Sequence, residues 1–331
     1  MKRLLLPLTL AAACMPANPS PAPRDVSALE GEVRAIIRAA AADTAEVSVA
    51  FLDLATGDSL LVDAHKVMHA ASTMKVPVMM ELFRRAHAGE VSMDDAVPVR
   101  NEFTSIADGG RYSLSPADDS DSTLYARIGQ RVPVRELIHL MITRSSNLAT
   151  NELIALAEPA RIRVLMERIG AGQMRVLRGV EDNAAYRAGM NNQTTAYALM
   201  RVMAAVQDPA VVGPAAAREM QEILGRQEFT GMIPAGLPPG TRVANKTGNI
   251  TRIQHDAALV YPPGRAPYVL VVLTRGFADA DVAQRVGADI SRAVWLHVTN
   301  RMQRKSRRGK QRGRTERTQR RTSAVPLRPL F

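Results

Sequence analysis

The sequence predicts an α/β protein of the α+β sandwich type. An antiparallel sheet built from both chain ends is flanked by helices, and an all-helical domain is inserted between its halves. Two observations predict this fold. Between about residues 70 and 210, nearly every segment has helical spacing or loop composition. Stretches typical of strands lie on either side, at residues 47–54, 59–62, 242–246, 256–261 and 268–274. Strands so far apart in the chain form one sheet when the helical stretch is an insertion.

Composition and charge support a folded body with a separate tail. The chain has 331 residues, of which 46% are hydrophobic, so a sizeable core is possible and a disordered or fibrous protein is excluded. The net charge of +11 is localised: residues 301–331 contain twelve Arg and Lys against one acid, Glu316. Residues 1–300 carry 31 basic and 31 acidic side chains. We therefore expect a neutral domain followed by a basic disordered tail over 301–331.

The N-terminus predicts export. Two basic residues precede a mainly apolar run of ten residues, Leu4–Ala13, which is about half of the roughly 20 residues needed to span a bilayer. This pattern indicates a cleaved signal peptide over residues 1–13. Small residues lead into Cys14, the only cysteine, as in a bacterial lipoprotein signal. We expect a periplasmic protein or a membrane-anchored lipoprotein, lipidated at Cys14, with a Pro-rich linker over 14–25; ordinary signal cleavage is the alternative.

The remaining elements follow in chain order. Residues 27–42 have the apolar spacing of a helix, and two strands follow around a turn at 55–58. We assign residues 26–66 and 213–300 to the sheet domain and residues 67–212 to the helical domain. The last amphipathic helix is predicted at about 280–298.

Ser72 and Lys75 form the first candidate motif, Ser-Thr-Met-Lys. On a helix, residues three apart share a face, so the Lys75 amine can reach the Ser72 hydroxyl. A desolvated lysine can take the proton that makes serine a nucleophile. Pro77 favours a helix start at this point, where backbone N–H groups stabilise a developing negative charge. Taken alone, the short pattern is more typical of a solvated helix start than of a catalytic pair.

Two further motifs carry polar groups. In Ser145-Ser146-Asn147, between two predicted helices, a hydroxyl could relay a proton and the Asn147 amide could bind a substrate amide; an ordinary helix N-cap is the alternative. In Lys246-Thr247-Gly248, at the end of a predicted strand, a cation and a hydroxyl suit a substrate carboxylate, and glycine allows close backbone approach. A strand end that turns into a hairpin is the alternative.

Together, in this order and fold pattern, the three motifs resemble the serine β-lactamases and penicillin-binding enzymes, most of all class A β-lactamases. The resemblance covers residues 27–300 and includes Pro77 and Asn151. It implies that Ser72 is the acylated nucleophile, Lys75 its activating partner and Ser145 a proton relay. It further implies substrate contacts from Asn147, Lys246, Thr247, Gly248 and Asn249, and an oxyanion hole made by the backbone N–H groups of Ser72 and Asn249.

The same resemblance implies a glutamate base for deacylation, and Glu181, after Arg178, is the candidate. The family has a proline directly after this glutamate and an asparagine four places on, where this chain has Asp182 and Ala185. The loop is about two residues shorter than in the family. Asn191 stands near the place where the family has an acid that pairs with the loop arginine. Ser146 replaces the usual aspartate. A surface glutamate without a catalytic role is the alternative for Glu181.

No cofactor is predicted. His65 and His69 have the spacing of a metal pair, but no carboxylate completes a ligand pattern. The acidic stretch 118–121 lacks the glycine and distal glutamate of a calcium loop and is predicted to be a solvated loop. By alignment, His255 lies near the position of an arginine that often assists carboxylate binding in the family. A histidine with a purely structural role is the alternative.

These residues predict a monomeric serine β-lactamase that hydrolyses the β-lactam amide through a Ser72 acyl-enzyme, a role in antibiotic resistance or β-lactam catabolism. One alternative is a penicillin-binding D-Ala-D-Ala peptidase or esterase with slow deacylation; another is a non-hydrolytic protein that binds cell-wall fragments. The basic tail resembles a nucleic-acid arm, but export makes nucleic acid an unsuitable partner. Anionic membrane lipids or wall polymers are the partners we expect for it.

Overall fold

The computed structural model describes residues 25–40 and 45–300. Its centre is an antiparallel five-stranded sheet in the order β2-β1-β11-β10-β9. The strands are β1 (Glu46–Asp53), β2 (Ser59–Val62), β9 (Arg242–Ile250), β10 (Ile253–Tyr261) and β11 (Tyr268–Arg275). The first two strands of the chain thus pair directly with the last, as the sequence predicts, and the predicted fold class is confirmed.

The β9–β10 hairpin is longer than the sequence predicts. Strand β9 was expected to end at Lys246, but it continues to Ile250 because Gly248 and Asn249 pair with His255 and Gln254 of β10. The predicted strand end at Lys246-Thr247-Gly248 is therefore wrong. The sequence does not predict this part of β9, because its polar residues and glycine do not favour β-structure on their own.

Both faces of the sheet are covered, which explains why β10 and β11 are buried along nearly their whole length. Side chains alternate between faces along a strand. Val49 and Phe51 of β1 pack with Leu29 and Val33 of the first helix. Ala50, between them, packs into the larger core on the side of the inserted helices. Helices therefore lie on both sides of one sheet.

The inserted part is mainly helical, and the last helix returns to the sheet. Residues 280–300 form α10. The preceding helices are α1 (Ser27–Ala40), α2 (Lys75–His87), α3 (Val134–Thr143), α4 (Asn147–Ala157), α5 (Pro159–Arg168), α6 (Asn183–Arg187), α7 (Ala196–Val206), α8 (Pro209–Val212) and α9 (Pro214–Leu224). Three short 3₁₀ turns span Ala71–Met74, Thr123–Arg127 and Pro234–Gly236.

Short ladders, which the sequence did not reveal, join the loops. They are β3 (Met68–His69) with β8 (Gln193–Thr194), β4 (Ala96–Pro98) with β7 (Arg131–Pro133), and β5 (Phe103–Thr104) with β6 (Arg111–Tyr112). Strands of two or three residues are too short to show a period in sequence. The β3–β8 ladder ties the segment before Ser72 to the end of the loop that carries Glu181.

Several predictions lie outside the described residues: the signal peptide 1–13, all but the last residue of the linker 14–25, and the tail 301–331. Within residues 25–40 and 45–300, no helix is long and apolar enough to cross a membrane.

Candidate active site

Ser72 lies in the 3₁₀ turn directly before α2, half-buried at the edge of the sheet. The preceding Ala71 has a φ of +45°, an unfavourable value for alanine that turns the chain sharply into the helix. Strand β9 passes against this turn. A Cβ atom on Gly248 would lie 3.1 Å from the backbone nitrogens of both Ser72 and Thr73, so glycine permits this close approach.

Lys75 is fully buried, and its side-chain nitrogen binds the Ser145 segment. Its Nζ donates to the carbonyl oxygen of Ser145 at 2.6 Å, to Ser145 Oγ at 3.2 Å and to Asn147 Oδ1 at 2.9 Å. The sequence predicts that this amine lies beside the Ser72 hydroxyl, but among the described residues its hydrogen bonds end on Ser145 and Asn147. The 3₁₀ turn that contains Ser72 runs directly into the α-helix that Lys75 begins, so the two residues still share a face, but the hydrogen bonds of the amine are made to the facing Ser145 segment.

The buried position of Lys75 favours its neutral form. Burial lowers its pKa from the usual 10.5 to about 7, and the negative charges of Asp119 and Glu181 oppose this shift. An amine with such a pKa exists as free base in a substantial fraction at neutral pH. Lys75 can therefore accept a proton there, as a general base must.

Ser145 connects the two lysines. Its Oγ accepts from Lys75 and, at 3.0 Å, from Nζ of Lys246. The residue has a φ of +60°, and Ser146 caps α4 by accepting the backbone N–H of Ala149. Two donors occupy the acceptor side of the Ser145 oxygen, so its own proton is left to donate elsewhere.

Lys246 is fully buried in β9, where it also donates to the carbonyl oxygen of Thr247 at 3.0 Å. Burial lowers its pKa well below the usual value, and the neighbouring charge of Lys75 acts in the same direction. Asp256 of β10 partly compensates. This carboxylate accepts from Asn245 Nδ2 and from the N–H of Ile233, both at 3.0 Å, and burial raises its pKa to about 6.

Glu181 approaches the same group of residues from the loop before α6. Its Oε1 accepts from Asn147 Nδ2 at 3.2 Å, so the Asn147 amide joins Lys75 to Glu181. Burial raises the pKa of Glu181, and the bond from Asn147 opposes that shift. The backbone of Val180 is fixed on both sides by the Asn151 amide, which donates to its carbonyl oxygen at 3.0 Å and accepts its N–H at 2.6 Å.

One cavity of about 550 Å³ contains the reactive groups. Ser72, Asn147, Glu181 and Asn249 line it. The two lysines and Ser145 are buried behind this wall. A substrate in the cavity can therefore meet a hydroxyl nucleophile, an amide and a carboxylate base together.

The departures around Glu181 have visible structural roles. Asp182, where the family has proline, caps α6 by accepting the N–H of Ala185 and also accepts from Ser105 Oγ and the N–H of Ile106. Ala185, where the family has asparagine, is fully buried and offers no polar group to the cavity.

Asp119 contacts the site and is not among the site residues that the sequence predicts. Its carboxylate accepts the N–H of Asn147 at 2.8 and 3.0 Å and that of Leu148 at 2.9 Å, as well as the Tyr125 hydroxyl at 3.0 Å. The prediction of a solvated loop over 118–121 is therefore wrong for this residue, and also for Asp121, which is buried and accepts from Thr123. Asp119 and Asn147 lie 28 residues apart, and no periodic pattern connects them.

The histidines have structural contacts. His255 is fully buried between the His69 carbonyl oxygen, 2.9 Å from Nε2, and the N–H of Thr274, which donates to Nδ1 at 3.1 Å. It thus holds the chain before Ser72 and does not line the cavity. The His65 ring packs on Tyr197 with centroids 4.7 Å apart. Within the described ranges, no three His, Cys, Asp or Glu residues are grouped to hold a metal.

A buried lysine pair bridged by a serine, beside a second serine at a helix start and next to an antiparallel sheet, defines a serine hydrolase that works through an acyl-enzyme. The sequence profile of the β-lactamase enzyme family matches residues 28–298. The chain belongs to this family. The predicted resemblance to the serine β-lactamase superfamily is confirmed, and the protein is a hydrolase of that group.

Individual relatives agree. The β-lactamase of Rhodobacter capsulatus is 26% identical over 254 residues, covering 76% of this chain and 82% of that protein. The β-lactamase of Bacillus amyloliquefaciens is 30% identical over 223 residues, 65% and 72% of the two chains. An ancestral class A β-lactamase structure (GNCA) is similar with a TM-score of 0.70 and 26% identity, over 81% of this chain and 99% of that one. PBP-A, at 22% identity and a TM-score of 0.71, covers 85% and 99% and shows the same fold.

Proposed function

We propose that the protein hydrolyses β-lactams through an acyl-enzyme on Ser72, with Glu181 as the base for deacylation. The observation that carries the proposal is the Glu181 carboxylate: it lines the same cavity as Ser72 and is hydrogen-bonded to Asn147. A base in this place distinguishes turnover from lasting acylation, because water must be activated to cleave the ester.

In acylation, Ser72 Oγ attacks the lactam carbonyl carbon while neutral Lys75 takes the hydroxyl proton. The oxyanion that forms is stabilised by backbone N–H groups, for which Ser72 and Asn249 are the candidates. The C–N bond then breaks. The ring nitrogen receives its proton from the Ser145 hydroxyl, which regains one from Lys75 across their 3.2 Å hydrogen bond.

In deacylation, Glu181 takes a proton from water as the water oxygen attacks the ester carbon. The ester C–O bond breaks, Ser72 Oγ recovers the proton, and the ring-opened amino acid leaves. The substrate's ring carboxylate would lie at the strand end, where Lys246 supplies positive charge and Thr247 a hydroxyl.

The test is intact-mass spectrometry with benzylpenicillin over time, together with nitrocefin hydrolysis. The wild-type protein is expected to show a transient adduct and turnover. Ser72→Ala is expected to lose activity by a factor on the order of 10⁵, the loss typical of a missing nucleophile. Ser120→Ala, an exposed serine lining the same cavity, is the matched control and is expected to retain activity. A wild-type protein that forms no adduct with benzylpenicillin and does not hydrolyse nitrocefin would contradict the proposal.

A second candidate is a penicillin-binding peptidase or esterase with slow deacylation. Ala185 favours it, because an apolar side chain at this place leaves the attacking water one hydrogen-bond partner fewer than the family pattern supplies. A penicillin adduct that persists for hours, equally in wild type and Glu181→Ala, would establish this candidate instead.

We also propose that the protein acts in the cell envelope, exported by residues 1–13 and anchored through a lipid on Cys14, while the basic tail binds anionic lipids or wall polymers. The Leu4–Ala13 run and the twelve basic residues of 301–331 support this. Cys14→Ser is expected to release the protein from membranes, and deletion of 303–331 to abolish salt-sensitive binding to anionic vesicles. Unchanged fractionation and binding would contradict the two expectations.

A further inference from the structure

One end of the Ser72 cavity is formed by the loop that carries Arg178 and Glu181, and we call it the loop end. Two hydrogen-bond donors face each other there. Arg178 and His69 both line the cavity, and Nη2 of Arg178 lies 3.5 Å from Nε2 of His69. Nδ1 of His69 accepts the backbone N–H of Ala71 at 3.0 Å. A neutral imidazole that accepts at one nitrogen carries its proton on the other, so Nε2 is a donor. Neither of the two facing atoms can accept from its neighbour.

His69 is held in this neutral form. Burial lowers its pKa to about 4, and the positive charge of Arg178 acts in the same direction. The His69 ring also meets the edge of Tyr186, with centroids 6.4 Å apart, and Arg178 lies 5.7 Å from the centroid of the same ring. Three side chains thus form a pocket wall with positive charge and an N–H donor, and the acceptor described for this donor pair is Asn191 Oδ1, which Nη2 reaches at 3.2 Å.

Arg178 is nearly buried, at 6% exposure; its hydrogen-bond acceptors are neutral, and the negative charge of Asp182 acts on it without a described hydrogen bond. The guanidinium donates to the carbonyl oxygen of Gly179 at 3.0 Å and to Asn191 Oδ1 at 3.2 Å. Its Nε is buried without a hydrogen-bond partner in the described part of the chain. A buried charge is costly unless it is paired, and a guanidinium pairs best with the two oxygens of a carboxylate.

We propose that Arg178 and His69 form a second anion site, which binds a carboxylate on the acyl side chain of the substrate. This inference rests on the proposed function, in which Asn147 contacts the substrate amide. Glu181 joins Asn147 and also lines the cavity, so a substituent beyond that amide can extend toward Arg178. The ring carboxylate uses the Lys246 end, so the preferred substrates are β-lactams with a second, side-chain carboxylate.

Benzylpenicillin and carbenicillin test the site, because they differ only by a carboxylate on the side chain. The readout is the ratio of kcat/KM for carbenicillin to that for benzylpenicillin. Asn191→Asp places an internal carboxylate on Arg178 and adds an ion pair, so the variant is expected to fold. It should lower the ratio about tenfold, the effect of one charge-assisted hydrogen bond, while benzylpenicillin hydrolysis changes less than about twofold.

Asn183→Asp is the matched control. Asn183 lines the same cavity, and the change adds the same charge without a hydrogen bond to Arg178. It should lower the ratio less than about threefold, the size of a solvent-screened charge effect. An unchanged ratio in Asn191→Asp, or an equal fall in both variants, would overturn the proposal.

A second measurement does not require hydrolysis. Thermal unfolding is compared in about 0.1 M acetate and chloride at equal ionic strength, since a ligand that binds the folded state raises Tm. A rise with acetate in the wild type but not in Asn191→Asp supports a site that takes free carboxylates. If acetate does not raise Tm but the kcat/KM ratio still falls tenfold in Asn191→Asp, the site is one that is filled by the substrate's own carboxylate. If neither Tm nor the ratio changes, the site is rejected. If benzylpenicillin is not hydrolysed, the proposed function fails and the acetate measurement still decides the anion site.

Discussion

The two ends of the Ser72 cavity hold their positive charges in different ways. At the strand end, each hydrogen bond of Lys75 and Lys246 ends on an oxygen of Ser145, Asn147 or Thr247. At the loop end, Arg178 lies beside another donor and keeps a buried nitrogen without a partner. Groups that satisfy one another are fixed before any ligand arrives, whereas unsatisfied donors gain from a ligand.

This difference separates the two halves of the reaction. The strand end holds the groups proposed for acylation: both lysines are buried, burial lowers the pKa of each, and Ser145 is bridged by both. In the proposed mechanism the loop end supplies the base for deacylation, Glu181, which has a φ of +62° and follows Val180, whose backbone is held by Asn151. Substitutions at the two ends should therefore affect different steps.

The largest difference between the effects on acylation and on deacylation is expected from Glu181→Gln. Without a carboxylate to take the proton of water, deacylation should slow about 10³-fold, while acylation changes far less because Lys75 is the base in that step. The acyl-enzyme should then accumulate in intact-mass spectra with benzylpenicillin. Asp118→Asn, an exposed carboxylate that lines the same cavity, is the control and should turn over like the wild type. An equal loss in both steps would show that Glu181 also serves acylation.

Gly248→Ala tests the strand end. The added methyl group would meet the backbone nitrogens of Ser72 and Thr73 at 3.1 Å, so strand and turn must separate slightly. Acylation should fall about 10- to 100-fold, as small displacements of reacting groups do, and deacylation less. Gly31→Ala in α1, where a Cβ meets nothing within 4 Å, should leave both rates unchanged. Single-turnover rates with nitrocefin give the two steps separately, and a larger loss in deacylation would contradict this division.

The sequence revealed the parts of this site that depend on short spacing. The strands at both chain ends and the order of the three motifs were sufficient to predict the sheet and to select Ser72, Lys75, Ser145 and Lys246. Contacts over long separations were out of reach: the bridge from Lys75 to Ser145 spans 70 residues. The continuation of β9 through Gly248 and Asn249 was missed because pairing with β10, and not local propensity, makes that segment a strand.

Asp119 shows the same limit and gives the smallest expected effect. No sequence motif assigns Asp119 to either end of the cavity. Its carboxylate caps α4 by accepting the backbone N–H groups of Asn147 and Leu148. Its negative charge also raises the pKa of Lys75, against the lowering effect of burial. Lys75 accepts a proton only as the free amine, so the acylation rate of the wild type should rise with pH through about 7. Asp119→Asn removes a negative charge that favours the ammonium form, and the midpoint of this rise should move to lower pH.

The shift should be about half a pH unit, the size of one partly screened charge interaction, and the lost cap should lower the stability by about 1 kcal/mol. Stopped-flow acylation between pH 5 and about 9 measures the first, and thermal unfolding measures the second. Asp118→Asn removes an equal charge from an exposed neighbour that does not cap α4, and should change neither quantity. A midpoint that moves upward, or that moves equally in both variants, would contradict the assignment of this rise to Lys75, whose pKa should fall when the charge of Asp119 is removed.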